Sequence, residues 1–179
     1  MDSNTHSNQV VAWPELPVLP DDLAGLAAVV DELADQDLDR LSGTRRAERV
    51  QGLRWLLDRL EGQWLKELAG VDACGAAGAD RGEQAPSTAS WLRRRLRMGA
   101  GAAHEAVRTA RALFRGPLPG TAQALTSGAI SAAHARVLAQ GTRQLPDHVT
   151  AEAEPVLVEA AARLTPTTAA AATSATPTP

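Results

Sequence analysis

Residues 87–114 read STASWLRRRLRMGAGAAHEAVRTARALF, and their punctuation decides the fold. Ser87 or Thr88 stands where a helix N-cap belongs, ahead of a short helix carrying Trp91, Leu92 and Leu96. Gly99-Ala100-Gly101 breaks that helix, and a second runs from about Ala102 to Phe114. Two helices joined by a glycine turn make a helix-turn-helix-like outline.

The same grammar repeats downstream. Gly116-Pro117-Leu118-Pro119-Gly120 punctuates the chain, a short helix leads to Ser127-Gly128, and Ser131 caps a helix running to Gln140 with Gly141 as its stop. Val149, Ala153, Val156, Ala160 and Leu164 then keep helical spacing through Pro155, which belongs in a first turn or at a kink.

Upstream, Asp21 is the expected N-cap of a helix with Leu23, Leu26, Val30 and Leu33 at 3-4-3 spacing. A longer helix beginning near Thr44 places Val50, Leu53, Leu57, Leu60 and Trp64 at 3-4-3-4 spacing. Two such narrow stripes suit packing against each other as an N-terminal helical hairpin. Gly75, Gly78 and Gly82 mark a connecting loop rather than a domain boundary. The expected fold is therefore all-α: a multi-helix bundle over residues 21–164, preceded by a Pro-punctuated flexible lead-in (1–20) and followed by a low-complexity, disordered tail (165–179).

Composition agrees with helix. Among 179 residues there are 36 Ala, 17 Arg and no Tyr, with one Phe and the single lysine Lys66. The net charge of −3 hides an asymmetry: residues 1–39 hold nine acids and no Lys or Arg, whereas residues 81–115 hold eight Arg against Glu83 and Glu105. Cys74, the lone cysteine, has no partner for a disulfide or a zinc pair, which suits a reducing compartment. No signal-peptide pattern opens the chain and no run of about 18 apolar residues occurs. A cytoplasmic location without membrane insertion is the expectation.

The segment with most to say about function is basic. Arg93, Arg94, Arg95 and Arg97 share one short helix, and His104, Arg108, Arg111 and Arg115 follow at 4-3-4 spacing beside the apolar stripe Ala103, Val107, Ala110 and Phe114. Clustered guanidinium groups bind phosphate backbones, and a helix-turn-helix would deliver them to a groove. The blander alternative is a solvated face whose heads pair with the acidic first 39 residues.

Nothing points to catalysis, and the expectation is a chain that is not an enzyme and uses no cofactor. His6, His104, His134 and His148 share no metal-ligand spacing, so no metal site is expected. GxGxxG, GxxxxGK[ST] and GxSxG are absent. His134 sits in the first turn of its helix, where capping or packing outweighs general-base work. Asp21/Asp22 and Glu152/Glu154 read as helix N-terminal electrostatics. Trp64 and Trp91 read as core or interface anchors.

The run Ser87–Leu96, the following GAGAAHEAVRTARAL and the segment LTSGAISAAHARVL at residues 125–138 together resemble the actinobacterial domain of unknown function 222 family, the 13E12 repeat family, over about residues 23–164. That resemblance implies a helical domain that commonly precedes an HNH endonuclease module, and hence a DNA-transaction setting. It supplies no active site here, because nothing after Leu164 offers the histidines or CxxC pairs of such a module. A truncated or frameshifted member, or a fragment, is the resulting expectation. SGAISAAHAR is also similar to a short segment of ParB-type chromosome-partitioning proteins. Two partner classes stay open: DNA, through the arginines, and another copy or another helical protein, through the apolar stripes.

Overall fold

The computed structural model describes residues 19–78 and 85–164, and every regular element among them is helical. Residues 1–18 of the expected lead-in, the Gly82 part of the first loop and the tail from Thr165 lie outside the described residues, as do His6 and Trp13. The chain divides into two compact units, Met1–Arg46 and Ala47–Pro179.

The first unit holds α1, Ala24–Ala34, entered through a single 3-10 turn at Asp21–Leu23 and followed by another at Leu38–Arg40. Asp21 thus belongs to that 3-10 turn instead of capping the helix. Asp37 accepts from the Asp39 backbone N–H and caps the second turn, and Arg46 reaches Asp39 and the Leu41 carbonyl.

α2 spans Gly43–Cys74, and α3 (Thr88–Arg95), α4 (Ala100–Phe114), α5 (Pro119–Ser127), α6 (Ala132–Gly141) and α7 (Asp147–Arg163) complete the second unit. Its core gathers Leu65, Leu68, Leu92, Val107, Leu113, Leu118, Leu125, Ile130 and Leu138, with alanines between them that let the helices approach closely. Trp64 and Trp91 pack against this core as anchors.

α2 packs on the core of the second unit through a face other than its apolar stripe. The stripe read as its packing face is exposed: Val50 68%, Leu53 40%, Leu57 54% and Leu60 41%. The face of α2 that is buried carries Asp58, Gly62, Leu65, Leu68 and Ala69. A 32-residue helix offers apolar residues on more than one face, and the close approach to α5 needs the small one. A Cβ on Gly62 would stand 3.0 Å from Leu125 Cγ.

Two buried carboxylates reach across the fold to helix N-termini. Glu154, 6% exposed on α7, accepts from the Thr121 backbone N–H at 2.7 Å and from its hydroxyl at 2.9 Å, closing the first turn of α5. Glu154 therefore serves a distant helix, whereas the sequence suggested its own. Its capping satisfies donors that a helix otherwise leaves orphaned. Glu154→Ala is expected to destabilise the chain by about 1.5 kcal/mol in urea unfolding, since two lost bonds outweigh the relief of desolvating a carboxylate; an unchanged midpoint would contradict that role.

The second carboxylate is Asp58, also 6% exposed, on α2. It accepts from the Ala132 backbone N–H at 2.9 Å, in the first turn of α6, while Arg54 clasps it at 3.0 and 2.6 Å. Around it, Trp55 Nε1 donates to the Gly128 carbonyl at 3.1 Å, Arg59 Nε donates to the Thr126 carbonyl at 3.2 Å, and Arg136 pairs with Glu61 at 2.6 Å. One face of α2 is thus stapled along the α5–α6 turn.

Candidate nucleic-acid interface

The α3–turn–α4 pair is built as the punctuation anticipates. Ser87 caps α3 by accepting from the Ser90 N–H, and Leu96 closes it by donating to the Leu92 carbonyl. Arg93, Arg94 and Arg95 fill its last turn, where positive charge complements the helix dipole. Arg97 follows at φ 53°, a left-handed conformation unusual for a side chain with a Cβ, and turns the chain toward α4. All four arginines are exposed.

Gly99, in extended conformation, precedes α4 and supplies no side-chain cap. The start of this 15-residue helix is therefore not capped by its N-cap side chain, and a helix N-terminus favours anions. Beside this end lies a groove of about 530 Å³ lined by Pro86, Ser90, Arg93, Arg94, Met98, Gly99 and Ala100.

Along α4 the expected basic stripe divides. His104 and Arg115 are exposed. Arg108 pairs with Glu105 one turn earlier at 2.6 Å. Arg111 makes a two-pronged contact with Asp72 of α2, at 2.6 and 2.9 Å, and Thr88 donates its hydroxyl to the same carboxylate at 2.7 Å. The Arg111 hydrogen bonds hold the Asp72 carboxyl below its ordinary range, against the opposing effect of burial and with help from Thr88. Arg108 and Arg111 are thus committed within the fold, Arg111 as a brace between α2, α3 and α4. Their partners are Glu105 and Asp72.

The second helix-turn-helix outline, α5–α6, has the opposite character. Gly128, at φ 81°, ends α5, with the Ala129 N–H donating to the Ala124 carbonyl and the Gly128 N–H to that of Leu125, a Schellman closure. Ser131 and His134 form a reciprocal capping box at the start of α6. His134 Nδ1 lies 3.3 Å from the Ser131 backbone N and 2.8 Å from its hydroxyl, and Nε2 lies 2.8 Å from the Leu164 carbonyl oxygen. The first turn of α6 is consequently occupied by Asp58, and Arg136 by Glu61. In a groove-reading helix-turn-helix those positions face the nucleic acid; here they face α2. Asp58, Asp72 and Glu61 carried no motif in the sequence, and only the long-range geometry identifies their partners.

Among the described residues, no group of three His, Cys, Asp or Glu side chains is placed to hold a metal ion, and no helix is long and apolar enough to cross a membrane. No curated protein and no solved structure matches the chain. One family model does, that of Domain of unknown function (DUF222), over residues 46–176. The match begins at the start of the second compact unit and takes in both helix pairs and the α2 face that holds them, so the chain belongs to the DUF222 family.

Proposed function

We propose that the chain is a non-catalytic helical accessory module that contacts duplex DNA through the α3–α4 pair. The observation that carries this reading is the meeting of Arg93 and Arg94 with the side-chain-free N-terminus of α4 at one groove, with exposed Arg97 in the turn between the two helices. Guanidinium groups neutralise phosphates, an uncapped helix start accepts one in line with its dipole, and neither requires a base-specific contact. Arg95, His104 and Arg115 are also exposed on this helix pair. Arg111 acts indirectly, by bracing α2 against α4, while Arg108 pairs with Glu105 within α4. A setting beside an HNH endonuclease module, in the cytoplasm with the DNA, fits a domain that positions a substrate for chemistry performed elsewhere.

The test is fluorescence anisotropy of a labelled generic duplex, comparing the chain with an Arg93→Ala/Arg97→Ala/Arg115→Ala variant whose helicity is checked by circular dichroism. Binding at about 50 mM salt, weakened at least tenfold in the variant, is expected, because each arginine removed surrenders a phosphate contact. A folded wild-type chain that leaves the duplex free, or a variant that binds equally well, would overturn the reading.

A further inference from the structure

The stripe Val50, Leu53, Leu57 and Leu60 has no role in the fold of the second unit or in the proposed DNA face. At about 100° per residue it lies roughly a third of a turn around α2 from the buried face of Asp58, Gly62 and Leu65. Leu56, 45% exposed, widens it. Five large aliphatic side chains, each 40–68% exposed on one rigid helix, form a contiguous apolar surface of the kind that marks an interaction site.

Spacing and charge together select an occupant. In a 3-4-3-4 stripe, Val50, Leu57 and Trp64 hold the a positions and Leu53 and Leu60 the d positions, the seam of a two-helix coiled coil. Arg54 and Glu61 then occupy the flanking e positions, and Arg49 a g position. A parallel pair of identical helices would set Arg49 against Arg54 of the other copy, a like-charge clash made twice. An antiparallel pair centred on residue 55 would set the two Arg54 side chains together. Sliding the antiparallel pair half a heptad, to a centre between Asp58 and Arg59, brings Arg54 of each copy beside Glu61 of the other and stacks Leu57 on Leu60 and Leu53 on Trp64.

We infer that α2 forms an antiparallel homodimer through this stripe, with Leu57 and Leu60 at its centre and reciprocal Arg54–Glu61 contacts at its edge. The register is self-complementary, as a two-fold interface must be. It also lengthens ion pairs that already exist: Arg54 is held by Asp58 and Glu61 by Arg136, so the reciprocal contacts join four charges from each copy into one network. With roughly 80 Å² contributed by each of the five exposed side chains, the two copies together bury on the order of 800 Å², the size of a weak, transient interface.

Sedimentation velocity over a hundredfold concentration range is the first arm of the test. The full chain is expected to shift from monomer to dimer, and Leu57→Glu, at an exposed position that leaves the folded core untouched, is expected to weaken association at least a hundredfold while keeping the wild-type unfolding curve. A chain that stays monomeric throughout, or a Leu57→Glu variant that dimerises as the wild type does, overturns the inference. The second arm fixes the register by disulfide trapping in a Cys74→Ser background. Leu57→Cys mixed with Leu60→Cys should give crosslinked heterodimers in excess of either homodimer; homodimer crosslinks alone would mean a parallel pair and would overturn it equally.

Discussion

Replacing Gly128 with alanine is expected to destabilise the chain by about 3 kcal/mol, the largest effect of any single added methyl group in the second unit. Two independent costs meet at this residue. Its φ of 81° is left-handed, which costs a residue with a Cβ about 1 kcal/mol. A Cβ there would also stand 2.1 Å from Trp55 Nε1, so the indole must leave, and with it the hydrogen bond to the Gly128 carbonyl. Arg59 stacks over the same ring, its guanidinium carbon 4.6 Å from the ring centre, so the displacement disturbs that contact as well. Urea unfolding of Gly128→Ala in a Trp55→Ala background separates the two costs: the penalty should drop to about 1 kcal/mol once the indole is gone. An undiminished penalty there would mean that the left-handed turn alone explains the glycine.

Asp58→Asn is expected to cost about 2 kcal/mol at neutral pH, because it removes the charge that holds Arg54 and weakens the acceptor for the Ala132 N–H. Burial pushes the Asp58 carboxyl toward the neutral form, but hydrogen bonds from Arg54 and the Ala132 backbone, with the charge of Arg54, outweigh it and leave the carboxyl below its ordinary range. A carboxyl lowered on folding stabilises the folded state at every pH above its unfolded value, near about 4, and that contribution fades as pH falls through the lower folded value. Asp72, lowered by Arg111, behaves the same way. Wild-type stability should therefore decline steeply below about pH 4, and Asp58→Asn should flatten the decline. Equal slopes for the two proteins in acid would contradict the assignment.

Local chemistry made the helix ends legible in the sequence. Ser87 and Ser131 cap α3 and α6, Gly128 ends α5, and the tryptophans Trp64 and Trp91 anchor the core. Periodicity succeeded where one face of a helix was apolar, as in α4, where Ala103, Val107 and Ala110 are buried. On α2 it marks the stripe of larger residues, whereas the face toward the second unit's core is marked by a glycine and an aspartate, which carry no apolar period. The basic segment was visible as composition, but not the division of labour within it. That division depends on Asp72, 39 residues before Arg111, and on Glu105, so no spacing rule along one helix could expose it. The likeness of the two helix pairs was also visible, and only the Asp58 and Glu61 contacts distinguish the one closed by α2 from the one left open.

The salt dependence of duplex binding tests the central claim most directly, because it counts phosphate contacts and locates them. The logarithm of the binding constant, plotted against the logarithm of salt concentration, should fall with a slope that loses about 0.9 for each contacting arginine removed, so Arg93→Ala/Arg97→Ala should flatten it by nearly 2. Arg163→Ala, which removes an exposed arginine paired with Glu159 on α7, should leave the slope unchanged. Equal flattening by both variants, or a wild-type affinity indifferent to salt, would contradict the assignment of DNA contact to the α3–α4 pair.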